Sequence, residues 1–217
     1  MVEGVALEMR CTRKGTVGSN PTLSALDLTI KIVQKEIETR FLDISKNELL
    51  EKLVLLGATD KGEEKLEEII FHAADKSWIG KNKFVRLRKT KSKIKLTYKE
   101  NKEQTVDSAQ EIELEVSDMD TCSEFLNKIG LEPVRRLEKY RHTFELDDVT
   151  IDIDTWPKIP SYVEIEGPSV ESLKNICGKL DIDWGKKFDG DAREVFRHYG
   201  YDIDSITVIT FDELKYR

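Results

Sequence analysis

The sequence predicts an α+β fold built around an antiparallel β-sheet. Three observations carry that prediction. Eight segments between residues 33 and 166 alternate polar and apolar side chains with the period of two that belongs to strands. Between and after them lie segments with apolar residues three and four apart, the spacing of amphipathic helices. Charged residues make up 35% of the chain and hydrophobic residues only 39%, which departs from the usual balance of about 25% and 45–50%. The excess charge lies in the strands and is sorted there by sign.

The elements follow in order. Residues 33–41 place Glu36, Glu38 and Arg40 on one face and Ile37, Thr39 and Phe41 on the other. Ser45-Lys46-Asn47-Glu48 reads as a capping box with Ser45 as N-cap. It opens a helix with Leu49, Leu50, Leu53 and Leu56 on one side, stopped at Gly57. Residues 65–73, 81–88 and 92–99 are strands; Arg86 and Arg88 share a face, as do Lys93, Lys95, Thr97 and Lys99. The polar stretch 100–108 is a loop. Residues 110–116 alternate Glu111, Glu113 and Glu115 with Ile112, Leu114 and Val116. A helix from about Asp120 carries Phe125, Leu126 and Ile129 and stops at Gly130. Strands at 136–146, 149–154 and 162–166 bring Lys139 and Arg141, then Asp152 and Asp154, then Glu164 and Glu166. Trp156-Pro157-Lys158-Ile159-Pro160 reads as a rigid connector between the last two. Pro168 and Ser169 begin a third helix with the stripe Val170, Leu173, Ile176, Cys177 and Leu180. A fourth covers roughly 191–198 and ends at Gly200. A strand, a helix stopped by glycine and further strands occur twice, which suggests an internal duplication.

Two arrangements accommodate strands with one charged face. An antiparallel sheet can leave that face in water. Alternatively the sheet closes into a barrel with the charges inside, the apolar faces under the helices and no free edges. An interior lined with charge is costly unless the charges pair or hold something of both signs. A polyanion with divalent cations satisfies that need, since carboxylates take the metal while Lys and Arg take phosphate oxygens.

Composition excludes other classes. The net charge of −7 argues against a general nucleic-acid coat, and no apolar run approaches the roughly 18 residues of a membrane span. Cys11, Cys122 and Cys177 form neither a disulfide framework nor a C-x-x-C pair, which points to a reducing cytoplasm. His72, His142 and His198 are isolated, and no Gly-rich phosphate loop is present. Residues 1–28 hold Gly, Pro and Ser without a sustained period. Gly18-Ser19-Asn20-Pro21 is what a tRNA T-arm of the form GGUUCRAAUCC encodes in frame, and Thr22-Leu23-Ser24-Ala25 suits the acceptor stem read onward. The expectation is a non-domain extension over 1–28, with the true start near Lys31, a single domain over 29–204 and a C-terminal extension over 205–217. The apolar run 206–211 is expected to add an edge strand or a dimer contact.

The charged strands resemble those of the CYTH domain, the triphosphate tunnel metalloenzyme superfamily. Glu36-Ile37-Glu38-Thr39-Arg40 stands where that family has E-x-E-x-K. Arg86-Leu87-Arg88 matches its R-x-R, Leu96-Thr97-Tyr98-Lys99 its L-T-Y-K, Glu111-Ile112-Glu113 an E-x-E, and Lys139-Tyr140-Arg141 its K-x-R. Asp154 and Glu164-Ile165-Glu166 match its closing elements. The resemblance covers about residues 33–200 and implies an eight-stranded antiparallel closed β-barrel with amphipathic helices packed outside. It further implies Mg²⁺ or Mn²⁺ held by Glu36, Glu38, Asp154, Glu164 and Glu166. The triphosphate would be held by Arg40, Arg86, Arg88, Lys99, Lys139, Arg141 and a C-terminal base, taken as Lys187 over Lys186 and Arg193. Arg40, Glu111 and Glu113 would take catalytic roles. The family lysine is Arg40 here; arginine keeps the charge but does not readily accept a proton, and a phosphate clamp is the role expected of it. The activity implied is hydrolysis of inorganic triphosphate or a small organic triphosphate such as thiamine triphosphate. The alternatives are a class IV adenylate cyclase making cyclic AMP and pyrophosphate from ATP, and a non-catalytic polyphosphate or nucleotide sensor. A small-molecule substrate, no nucleic acid, no membrane, and a monomer or homodimer complete the expectation.

Overall fold

The computed structural model describes residues 31–32, 37–78, 81, 83–101 and 109–217. The expected extension over 1–28, Glu36 and most of the loop 100–108 lie outside the described residues. The elements run β1 (Lys31–Ile32), β2 (Ile37–Phe41), α1 (Lys46–Leu55), β3 (Thr59–Ala73), β4 (Lys83–Lys89), β5 (Ile94–Asn101) and β6 (Ala109–Val116). They continue with α2 (Met119–Lys128), β7 (Leu131–Leu146), β8 (Val149–Thr155), β9 (Tyr162–Gly167), α3 (Val170–Lys179), α4 (Ala192–His198), β10 (Ile206–Ile209) and β11 (Leu214–Tyr216).

All strands join one sheet in the order β1-β6-β5-β4-β3-β7-β8-β9-β2, with β10 and β11 attached beside β7. The eight long strands β2–β9 pair antiparallel throughout. The closed barrel is corrected on one point: among the described residues no ladder joins β2 to β6, so the hydrogen-bonded ring is not complete. Its two ends, β1 and β2, are nevertheless consecutive in the chain. The central pair β3–β7 runs from Thr59↔Glu145 to Ala73↔Leu131. Either side of it the chain repeats strand, helix, long strand and two shorter strands, which agrees with the expected duplication.

The apolar faces turn outward under the helices. Phe41, Phe144, Ile151, Ile153, Val163 and Ile165 pack against Leu49 and Leu53 of α1 and Leu173, Ile176 and Cys177 of α3. Phe71, Val85 and Leu87 pack under Leu126 of α2. Each such side chain contributes about 1.5–3 kcal/mol by leaving water. A third cluster joins Ile70, Leu137, Trp156 and Tyr162 to Val195 and Phe196 of α4 and to Ile203, Ile206 and Ile209.

Several local expectations are refined. Ser45 occupies the N-cap position, but its side chain makes no cap hydrogen bond. Asp118, Ser169 and Asp191 do cap their helices, accepting from backbone N–H groups of the first turn. Gly57 and Gly130 stop α1 and α2 with φ of 72° and 88°, a conformation that glycine adopts without strain. β3 begins at Thr59 rather than 65, because residues 59–64 are all polar or Gly and show no alternation. β7 begins at Leu131 and runs through Pro133; the register shifts between Ile70 and Phe71, beside that proline, which has no N–H to give the ladder. The apolar run near the C-terminus adds a strand to the sheet, though not an edge one: β10 pairs parallel with Arg136 and Leu137 of β7 and antiparallel with β11. Among the described residues no helix is long and apolar enough to cross a membrane.

Ile165 is fully buried between α1 and α3, whereas Leu55 is 85% exposed. Ile165→Ala is expected to lower stability by about 2–5 kcal/mol in a urea titration, and Leu55→Ala to change it by less than about 0.5 kcal/mol.

Candidate active site on the inward charged face

Strand register brings the predicted charges to one face. Arg40 lies opposite Glu164 and Glu38 opposite Glu166 across β2 and β9. Asp152 faces Glu164 across β8 and β9, and Arg141 faces Asp154 across β7 and β8. On the other half, Glu68 pairs with Arg88, Arg86 with Thr97, Lys99 with Glu111 and Thr97 with Glu113. This face is not open to water as it would be on a flat sheet. Asp154 is fully buried, and Glu68, Lys139, Arg40 and Asp152 are each less than a tenth exposed.

Buried charges must find partners, and nearly all do. Arg141 is the hub. Its guanidinium donates to Asp154 at 2.7 and 2.8 Å, to Asp152 at 2.6 Å and to Glu164. Lys139 Nζ donates at 2.6 Å to Asp154 Oδ2, which also accepts from Arg141 Nη2, and Thr143 Oγ1 donates to Asp152 at 2.6 Å. Arg88 Nε donates to Glu68 at 2.7 Å. Lys99 and Lys95 pair with Glu111 and Glu113 at 2.7 and 2.6 Å.

Arg40 is bonded through both terminal nitrogens. Nη2 donates to Glu38 at 2.9 Å and to Glu164, and Nη1 donates to the carbonyl of Gly190 at 2.7 Å. Burial works against its charge, but Glu164 and Glu38 outweigh that and hold its pKa above the ordinary arginine value. Burial likewise opposes the charge of Glu164, and Arg40, Arg141 and Lys139 overcome it, holding the carboxyl well below its usual range. Burial and the neighbouring Arg141 depress Lys139.

Arg86 stands apart. It makes no hydrogen bond or ion pair among the described residues, and its buried Nε has no partner. Burial and the adjacent Arg88 lower its pKa to about 10, against the pull of Glu68 and Glu111.

Of the expected metal ligands, Glu38, Asp154, Glu164 and Glu166 are brought to one wall, and Glu36 lies outside the described residues. Asp154 has both oxygens on Lys139 and Arg141. Among the described residues no group of three or more His, Cys, Asp or Glu side chains stands ready-made for a metal ion. The donor chemistry still suits a hard cation: Glu38 and Glu166 are direct cross-strand neighbours that bring carboxylate oxygens side by side. Lys187 pairs with Asp189 and Arg193 with Asp191. The Gly190 carbonyl of this stretch reaches the charged face.

Three site groups escape sequence reasoning. Glu68 is hidden because Glu67 and Glu68 put acid on both faces of β3. Gly190 acts through its backbone. Tyr162 reads as an apolar strand residue, yet it lies on the inner face beside Asp154. Leu66, Glu68 and Ile70 share one face of β3, so no run of like charges marks Glu68 there.

The CYTH domain matches residues 34–182. A protein of Methanocaldococcus jannaschii, named "Putative adenylate cyclase", is 24% identical over 185 residues, which span 85% of this chain and 99% of that one. Among solved structures, a Vibrio parahaemolyticus protein named as a "putative adenylate cyclase" superposes with a TM-score of 0.65 at 13% identity, covering 76% of this chain and 98% of its own. A "putative adenylyl cyclase" of Hippeastrum, described as having a dominant triphosphatase activity, superposes with a TM-score of 0.53 at 13% identity, covering 75% and 94%. At such identities the structures establish the fold.

Glu68 predicts an acid limit. Burial opposes its charge, but Arg88, Arg86 and Lys139 lower its pKa from 4.5 to about 2. Its stabilising contribution is therefore present above about pH 4.5 and lost as pH falls towards 2, a difference of about 3 kcal/mol. Chemical denaturation of wild type and Glu68→Gln between pH 2 and 6 should show a distinctly shallower acid slope in the variant. Equal slopes would mean that Glu68 does not carry this linkage.

Proposed function

The chain belongs to the CYTH domain family, and from that premise we propose that its inward face binds a triphosphate with a divalent cation and hydrolyses it. The substrate is inorganic triphosphate or a small organic triphosphate such as thiamine triphosphate. The observation that carries this reading is Arg86, whose buried Nε has no hydrogen-bond partner and whose guanidinium makes no salt bridge among the described residues, although Glu68 and Glu111 lie near. A buried donor without a partner is costly, and an arriving anion would recover that cost. Arg88, on the same face of β4, offers a second planar fork, and paired guanidinium groups suit phosphate oxygens.

Glu38 and Glu166 would hold Mg²⁺ or Mn²⁺, with Glu164 beside them. When bound, the cation supplies charge neutralisation at the phosphate oxygens and acidifies a bound water. Arg86, Arg88 and Arg141 would bind the phosphates and offset the charge that spreads over them in the transition state. Asp154 fixes Lys139 and Arg141 in place, and Glu111 and Glu113 hold Lys99 and Lys95 over the same face. In the reaction, water oxygen bonds to the terminal phosphorus and the bridging P–O bond breaks. Pyrophosphate leaves with the electron pair, and the water proton passes to solvent.

The activity described for the Hippeastrum neighbour supports hydrolysis. The name of the M. jannaschii relative supports a second reading, a cyclase in which the ribose 3′-hydroxyl of ATP replaces water. Product analysis separates the two. With tripolyphosphate or ATP in Mg²⁺ and Mn²⁺, orthophosphate plus pyrophosphate from tripolyphosphate is expected. Cyclic AMP from ATP would favour the cyclase, and binding without turnover a sensor.

Two variants test the assignments. Arg86→Met should lower kcat/KM at least about a hundredfold, equivalent to about 2.7 kcal/mol, while leaving Tm unchanged or higher, because an unpaired buried charge is gone. A variant of full activity, or one that unfolds, would show that Arg86 serves another purpose. Glu38→Gln should weaken Mn²⁺ binding measured by calorimetry as well as turnover.

A further inference from the structure

We infer that Arg40 is a positioning residue that orients Glu38 for the cation, and that the backbone carbonyl of Gly190 holds Arg40 in place; this rests on the cation site just proposed. The first observation is the set of partners around the fork. Nη2 lies between two carboxylates, donating to Glu38 of its own strand at 2.9 Å and to Glu164 of β9. Nη1 donates to the carbonyl of Gly190 at 2.7 Å. Partners on β2, on β9 and on the segment ahead of α4 fix both the place and the plane of a rigid guanidinium. Arg141 differs in that all its partners are carboxylates of β8 and β9, whereas the third partner of Arg40 comes from outside those strands.

The second observation is that this third partner is itself anchored. The N–H of Phe188 donates to the Arg40 carbonyl at 2.8 Å, so the segment lies directly beside β2. Asp191, next in the chain, caps α4 by accepting from the N–H groups of Arg193 and Glu194 at 2.8 and 3.2 Å. α4 is seated in the core through Val195 and Phe196, both fully buried. A Cβ on residue 190 would lie 2.5 Å from Phe188 Cε1 and 2.7 Å from Glu194 Cβ. Only glycine fits so close an approach, and the seating of α4 dictates where its carbonyl stands.

The third observation is where the constraint acts. The Glu38 side chain is 36% exposed, against 10% for Arg40 and 12% for Glu164. A partly exposed glutamate has several rotamers open to it, and holding one costs entropy. The bond from Nη2 engages Oε1 and restricts the carboxylate, leaving Oε2 to the cation. Hydrogen-bond partners of metal ligands typically carry about tenfold to a hundredfold in metal affinity. The contacts run from the core under α4 through Gly190 and Arg40 to Glu38, so cation affinity depends on a segment that supplies no ligand.

Calorimetry of the full chain with Mn²⁺ alone, without substrate, tests this. Arg40→Lys keeps the charge and loses the fork, and is expected to weaken Mn²⁺ binding about tenfold or more. Gly190→Ala displaces the carbonyl while leaving Arg40 and every carboxylate in the chain, and should weaken binding in the same direction. In the double variant Gly190→Ala should add less than about twofold to the loss from Arg40→Lys, because both act through one contact. Kinetics at saturating Mn²⁺ separates positioning from substrate contact: in Arg40→Lys the KM for tripolyphosphate should stay within about twofold of wild type. Unchanged Mn²⁺ affinity in Arg40→Lys would overturn the inference, and this variant decides alone if Gly190→Ala does not fold. Additive losses in the double variant would overturn it too, as would a KM raised about tenfold at unchanged Mn²⁺ affinity, which is the mark of a phosphate contact. Each of these leaves the proposed function intact. A wild-type chain that binds no Mn²⁺ would overturn the proposed cation site and the inference with it.

Discussion

The structure depends on charge being buried inside a β-sheet. Arg141 is the clearest case: one guanidinium spans Asp152, Asp154 and Glu164 and so ties β7, β8 and β9 together from within. Such pairs contribute little net stability, because desolvation offsets most of their attraction. What they contribute is geometry. A residue with three carboxylate partners has few alternative positions, so the inward-facing groups are held in fixed geometry. The stability comes from the opposite faces of the same strands, where Ile151, Ile153, Val163 and Ile165 lie under α1 and α3. Alternation along a strand thus divides the labour residue by residue.

This division explains what was legible in the sequence. Where a strand carries one sign of charge on one face, as in Glu111-Ile112-Glu113 or Asp152-Ile153-Asp154, period two declares both the strand and its orientation. Where charge falls on both faces, as at Glu63-Glu64 and Glu67-Glu68, the period vanishes and with it the start of β3 and the role of Glu68. Closure is not a local property, and alternation cannot distinguish a ring from an open path. The partners of Arg40 were illegible for another reason: a backbone carbonyl 150 residues away leaves no trace in residue type. The choice of arginine over the family lysine becomes intelligible only with that contact in view. A guanidinium reaches Gly190, Glu38 and Glu164 at once, which a single ammonium would meet with poorer geometry.

The acidic and basic halves of the inner face are unequal in their self-sufficiency. Around Arg141 the charges are balanced and the hydrogen bonds nearly complete. Around Arg86 no salt bridge forms among the described residues, and its buried Nε, like that of Arg40, has no partner. A protein core that leaves such donors unsatisfied concedes stability at those points, and sites of function are where such concessions are found.

The pairing of β2 with β9 has a consequence for how the chain acquires its shape. Thr39 meets Ile165, so the first long strand has no partner on that side until almost the whole domain has left the ribosome. Contacts so distant in sequence form late, because the loop entropy must be spent before they return anything. During that interval β2 is an unpaired edge, the kind of segment that recruits other chains. Its inward face is Glu38 and Arg40, which are at ease in water and poor templates for aggregation. The residues that later build the site therefore also guard the chain while it waits, and a more apolar inner face would endanger folding before it affected chemistry.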